Sequence, residues 1–404
     1  MRRPFPWLIV TSAGCELGSR TPIAALDGAK QDVRAVDMDA DGDVDVIVSF
    51  DGKIAWFEQP GWVRHDVGVG SVFATGDLDG DGRAEVIAAA DDGVVVVYAN
   101  ASEYESLLNG GNASDVEVYD VDGDGDLDIL VVGDDEVVIY AGPRWNVSTF
   151  VIRVPGAVAV AAYDFNGDNT AELVIAAGTT VFFYENGELE VLSEDLLDAR
   201  AVDANGVAAV ASTKDDTVGY AQYPFENLVR VTETAHGVRA VAAADLDGDA
   251  DVDLISACFD DATVRKHSFC RDDLVFETTI VDADATGAEA VAIADINGDG
   301  VLDVVAALET HLVYYLNLDC GTASMANASK NSKSNTSASI TTIVVFVIVA
   351  IFAFFAAALF LWTTRPAIRH RVELSLRRLR GDKLAAPRAP PTEDRDDGAV
   401  ASTS

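Results

Sequence analysis

The stretch Asp37-Met-Asp-Ala-Asp-Gly-Asp-Val-Asp45 returns along the chain in altered copies that begin at Asp77, Asp120, Asp164, Asp203, Asp245 and Asp295. Copies spaced 39 to 50 residues apart mark a repeat architecture, in which a single unit cannot bury its apolar face and stacks on its neighbours. The units read as strands. An apolar run enters each acidic stretch (Val33 to Val36, Val116 to Tyr119, Ala240 to Ala244), and a β-branched run leaves it (Val44 to Ser49, Leu127 to Val132, Val252 to Ser256). An Asp/Gly turn such as Asp51-Gly52 follows, then a third strand such as Lys53 to Glu58, then a fourth such as Val63 to Val67. Four strands in each of seven units predict an all-β fold, a seven-bladed β-propeller over residues 21–320. The last unit supplies only three strands, ending at Leu318. Thr21 to Leu26 lies ahead of the first unit, and pairing it into the last blade would close the ring and remove open sheet edges.

The acidic stretches suit a hard cation with an oxygen shell. Side chains at positions one, three and five converge in a tight turn, the carbonyl of position seven adds a ligand, and the acid at position nine closes the shell. The predicted Ca²⁺ ligands of the first loop are Asp37, Asp39, Asp41, Asp43 through its carbonyl, and Asp45. The second loop offers Asp77, Asp79, Asp81, Arg83 through its carbonyl, and Glu85; the third offers Asp120, Asp122, Asp124, Asp126 and Asp128. Asp164, Asn166, Asp168, Thr170 and Glu172 form the fourth set, with one carboxylate fewer. Asp245, Asp247, Asp249, Asp251 and Asp253 form the sixth, and Asp295, Asn297, Asp299, Val301 and Asp303 the seventh. The fifth keeps only Asp203 and Asn205 and is expected to hold no metal. An EF-hand is excluded, because position twelve is Val48, Ala88 or Val131 rather than Glu and the flanks are strands.

The stretches Asp77-Leu-Asp-Gly-Asp-Gly82, Asp245-Leu-Asp-Gly-Asp249 and Asp295-Ile-Asn-Gly-Asp-Gly300, with the third-strand sequence Lys53-Ile-Ala-Trp-Phe-Glu58, resemble FG-GAP or VCBS-type repeats of integrin alpha-chain propellers. The resemblance covers residues 21–318 and implies Ca²⁺ loops between the first and second strands of each blade. It does not extend to integrin leg domains. Leu361-Trp-Thr-Thr-Arg365 also departs from the juxtamembrane sequence of integrin alpha chains, so pairing with a beta chain is not implied.

The formal net charge of −39 sets the chain against nucleic acid and anionic surfaces and favours cations. From Ile340 to Trp362 the chain is uncharged and almost wholly apolar, long enough to cross a bilayer core of about 30 Å as a helix. Arg365, Arg369, Arg371, Arg377 and Arg378 follow it, so the positive-inside rule predicts a type I single-pass membrane protein. Residues 1–20 are read as a signal peptide, 321–339 as a polar stalk and 363–404 as a basic, then disordered, cytoplasmic tail. Glycan acceptors at Asn100, Asn112, Asn146, Asn327 and Asn335 agree with a secretory route. Of the four cysteines, Cys258 with Cys270, or Cys270 with Cys320, are the pairings open to a bridge. His65, His236, His267 and His311 are dispersed, and no catalytic motif accompanies them. The expected role is therefore adhesion- or receptor-like binding of a protein or glycan ligand, without enzymatic activity. The alternative is an enzyme working at the central channel face.

Overall fold

A computed structural model describes residues 17–317, apart from 27, 29, 90–93, 100–102, 110–112, 144, 146–149, 226 and 271–274. The candidate membrane span, the stalk, the tail, all five glycan acceptors, Cys15 and Cys320 lie outside the described residues. Among the described residues, no helix is long and apolar enough to cross a membrane.

The fold is an all-β propeller. Among the described residues its strands form seven four-stranded antiparallel sheets, six of them in simple meander order. The first sheet is Lys30–Val36, Asp45–Phe50, Lys53–Glu58 and Val63–Val69. The innermost strands of the next five are Val72–Gly76, Ala113–Tyr119, Ala159–Tyr163, Ala199–Ala204 and Val238–Ala244. The last sheet runs Ala290–Ala294, Asp303–Ala307 and His311–Tyr315, and its fourth strand is Thr21–Ala25 from the other end of the chain. There Thr21 lies opposite Tyr314 and Ala25 opposite His311, and a bridge between Leu17 and Asn317 extends the pairing.

Apolar burial ties the sheets into a ring. Seven core clusters each draw side chains from two successive sheets. One of them joins Val305, Ala307 and Leu312 of the last sheet to Val33, Val46 and Val48 of the first. The second strands are covered on both faces, so Asp45–Phe50, Glu172–Ala177, Val207–Ser212 and Asp253–Cys258 are buried along their whole length. Such strands read as continuous apolar runs rather than as alternation. Toward the axis the space narrows, and the innermost strands become alanine-rich, as in Ala159-Val-Ala-Ala-Tyr163 and Val241-Ala-Ala-Ala244.

Cys258 is a buried free thiol at the turn end of its hairpin, opposite Thr263. Cys270 ends the same hairpin's second strand seven residues further on, opposite Val275. At roughly 3.3 Å per residue that separation far exceeds the approximately 7 Å Cα limit of a disulfide, so the Cys258–Cys270 pairing is ruled out. Trp56, Trp62 and Trp145 each have a partner within the fold. Trp56 stacks on His65 at 4.3 Å, Trp62 lies 5.9 Å from Tyr314, and the Trp145 indole N–H donates to the Leu127 carbonyl at 2.8 Å.

Candidate functional site

Six of the seven connections between first and second strands are acidic loops, and all lie at one end of the ring. The first aspartate folds each loop by accepting backbone N–H groups. Asp37 takes those of Asp41 and Gly42, Asp120 those of Gly123, Asp124 and Gly125, and Asp245 those of Gly248, Asp249 and Ala250. Position six has a positive φ throughout: Gly42 at 95°, Gly82 at 90°, Gly125 at 94°, Asn169 at 68°, Ala250 at 69° and Gly300 at 84°. The ninth residue begins the second strand and is buried in every case: Asp45, Glu85, Asp128, Glu172, Asp253 and Asp303. In five of the six, one of its oxygens accepts the N–H of the loop's second residue, as Asp45 from Met38 at 3.1 Å and Glu85 from Leu78 at 2.8 Å. Burial, reinforced by the neighbouring aspartates, pushes Asp45 up to about 6 and raises Glu85, Asp128 and Asp303. A cation among these groups would offset that penalty.

Four loops bring three carboxylates to one point, with ligand oxygens within 4.8 Å of one another. These are Asp37, Asp39 and Asp41; Asp77, Asp79 and Glu85; Asp120, Asp122 and Asp128; and Asp245, Asp247 and Asp249. Two oxygens on opposite sides of an ion bound at roughly 2.4 Å lie about that far apart. Asp39 Oδ1 is moreover buried without a hydrogen-bond partner. The donor set and this orphaned oxygen fit a hard divalent cation. Asp81 and Asp124 instead accept the N–H groups of Arg83 and Asp126, which sets the turn through position seven.

The asparagine loops are arranged differently. Asn166 donates to Glu172 at 2.5 Å while its own oxygen accepts from Asp168, and Asp168 is held low by the Thr170 hydroxyl and N–H. Asn297 donates to Asp299 at 3.0 Å, and Asp299 takes the Val301 N–H. Here an amide N–H₂ sits against a carboxylate. In the sixth loop Lys266 approaches Asp253, whose carboxyl burial raises to about 6 despite the ammonium nearby. Asp251 closes that turn by donating its N–H to Asp249 at 2.8 Å. Asp43 does the same toward Asp41 at 2.9 Å. In the fifth sheet the loop is gone, and Asn205-Gly206 connects the two strands directly.

Side chains stitch the loop ring together. Gln59 donates to the carbonyls of Val44 and Ile296, joining the first and last sheets. Asn317 donates to Leu246 and Leu302, joining the last two. The third and fourth loops touch through Ala171 N–H and the Val121 carbonyl at 2.9 Å. At that contact a Cβ on Gly123 would stand 1.9 Å from the Asn169 carbonyl oxygen, whereas one on Gly80, the equivalent residue of the second loop, meets nothing within 4 Å. Ala40 occupies the same left-handed conformation in the first loop, so the conformation itself is tolerable. Gly123→Ala is therefore expected to lower the melting temperature by about 6 °C, from roughly 3 kcal/mol of overpacking and strain, and Gly80→Ala by less than half as much. Parallel thermal melts of the two variants check this.

Sequence reasoning missed a second feature, an axial cavity of about 530 Å³ lined by Asp32, Arg34, Asp115, Glu117 and Asp203 among alanines and valines. Its aspartates bond across strands: Asp115 accepts the Val160 N–H at 2.9 Å and Asp203 the Ala243 N–H at 2.7 Å. Arg34 pairs with Asp32 at 2.5 Å. Burial, more than its charged neighbours, pushes Asp115 up to about 7 and Glu117 up to about 8. The signal in the sequence was the alternation of Asp115 and Glu117 with Val116 and Val118, which puts the two acids on the face away from the core. The histidines do not meet there. His65 pairs with Glu58 and His236 with Asp216, while His267 is buried between Ser256 and Thr278, and burial brings it down to about 3.

Residues 77–131 and 120–175 match the FG-GAP-like repeat. No curated protein matches the chain. Among solved structures, a chain in the complex of BBS1N with ARL6DN is similar at a TM-score of 0.57 and 14% identity, over 74% of this chain and 95% of that one. A streptogramin B lyase follows at 0.54 and 11%, over 74% and 96%. A chain of the mitotic checkpoint complex is similar at 0.55 and 11%, over 78% and 97%. At these identities the likeness is one of fold. The chain thus carries FG-GAP-like repeats, and it carries them on a β-propeller.

Proposed function

We propose that this chain is a Ca²⁺-binding, single-pass type I membrane protein whose seven-bladed propeller binds a protein or glycan ligand. The observation that carries the metal is the convergence of three carboxylates in each of four loops, with Asp39 Oδ1 buried and without a hydrogen bond. Ca²⁺ suits these donors because it accepts six to eight oxygens in flexible geometry, whereas Mg²⁺ demands a near-ideal octahedron. Binding rather than catalysis is supported by the axial cavity's own bonding. Asp115 and Asp203 accept N–H groups of neighbouring strands, and Asp32 pairs with Arg34, so three of the cavity's carboxylates have structural partners. The uncharged stretch 340–362 with arginines behind it supports the membrane topology.

The test is affinity capture from cell-surface and lumenal extracts with the full-length protein in detergent, in Ca²⁺ and in EGTA. A protein or glycan recovered in Ca²⁺ and lost in EGTA is the expected result. Equal recovery in both, or none above a scrambled-bead control, overturns the binding role as stated.

A further inference from the structure

The sixth loop differs from the others in one buried residue. Two positions into each second strand, the residue opposite on the third strand is Trp56, Val97, Ile139, Phe183 or Tyr314 in the other sheets that carry an acidic loop. In the sixth sheet Ile255 faces Lys266. Lys266 is 3% exposed, and its ammonium lies 3.6 Å from Asp253 Oδ2.

The oxygen it approaches is also bonded differently. In the other five loops the ninth residue's corresponding oxygen takes a backbone N–H, from Met38, Leu78, Val121, Phe165 or Ile296. Asp253 Oδ2 accepts no hydrogen bond, although it is buried. A buried carboxylate oxygen without a hydrogen bond needs a positive charge nearby, and Lys266 places one there.

We infer that Lys266 is the resident cation of the sixth loop, which therefore leaves Ca²⁺ to the other acidic loops although its own Asp245, Asp247 and Asp249 converge. An ammonium beside Asp253 satisfies part of the charge that would otherwise attract the ion and repels a divalent ion from the same point. The inference rests on the reading that the other loops take Ca²⁺.

Ca²⁺ bound per chain is measured by equilibrium dialysis of the full-length protein against millimolar Ca²⁺, for the wild type, Asp249→Asn, Lys266→Met and the double variant, with folding checked by circular dichroism. The wild type and Asp249→Asn should bind the same number of ions. Lys266→Met should bind one more, and the double variant should return to the wild-type number. If Asp249→Asn loses one ion relative to the wild type, the sixth loop is already loaded and the inference is overturned; that comparison holds even if Lys266→Met fails to fold. A folded Lys266→Met that gains no ion overturns it equally. A wild type that binds no Ca²⁺ in any loop overturns the underlying reading, a result distinct from either of the others.

Discussion

Removing divalent cations from the full-length protein with EGTA lowers its melting temperature by about 15 °C if the first three loops are loaded. Each site held at a hundredfold excess over its Kd adds about 2.7 kcal/mol through linkage, and a domain of this size shifts by roughly 2 °C per kcal/mol. These three loops matter most because their first, third, fifth and ninth positions are all acidic, and the sixth loop, which shares that pattern, has Lys266 beside its Asp253. The loops are also bonded to one another and to the sheets, so that loss of an ion spreads. Gln59 holds the first loop region to the last sheet, and Ala171 holds the fourth loop to the third. An unchanged melting temperature in EGTA, with Ca²⁺ restored as the control, would sink the metal part of the proposed function.

The second large effect comes from the axial cavity and has the opposite dependence on carboxylate charge. Burial raises Asp115 to about 7 and Glu117 to about 8, while in the unfolded chain both ionise near roughly 4. Between those values the folded state holds more protons than the unfolded state, so the contribution of these groups is full below pH ~4 and is lost as pH rises toward 8. Glu117→Gln fixes the neutral form. It is expected to raise the melting temperature at pH 8 by about 4 °C, from roughly 2 kcal/mol after allowance for water in the cavity, and to change nothing at pH 4.5. Melts of both proteins across pH 4.5 to 8 in saturating Ca²⁺ measure it. A variant that is less stable at pH 8 would show that the carboxylate is needed in its charged form beside Arg34.

Much of this architecture is legible in the residues themselves. Lys53 to Glu58 is a strand with the bounds its alternation implies, and Thr21–Ala25 pairs beside His311–Tyr315 as the strand count of the units implies. The loops are legible because their chemistry is local: the first and third positions fall together with the fifth or the ninth, all within nine residues. Three things were not, each for a spatial reason. Lys266 is thirteen residues beyond Asp253 and meets it only through the register of a hairpin. Asn166 and Asn297 look like neutral ligands in sequence, yet their amide N–H₂ groups face acids of their own loops. The cavity draws Arg34, Asp115 and Asp203 from three sheets, and no periodicity within one strand reveals which residues of another stand across the axis.

The pairing of Thr21–Ala25 with His311–Tyr315 ties closure of the ring to the synthesis of its last strand. The earlier strand leaves the ribosome about 290 residues before its partner, which at roughly 5 to 20 residues per second is a delay of about 15 to 60 s. During that interval the first sheet has no neighbour on one flank, and Val33, Val46 and Val48 wait for Val305, Ala307 and Leu312. A nascent chain stopped anywhere before Tyr315 can stack its early sheets but cannot shut the circle. Its open flank is the surface a chaperone or a degradation machine would read as unfinished.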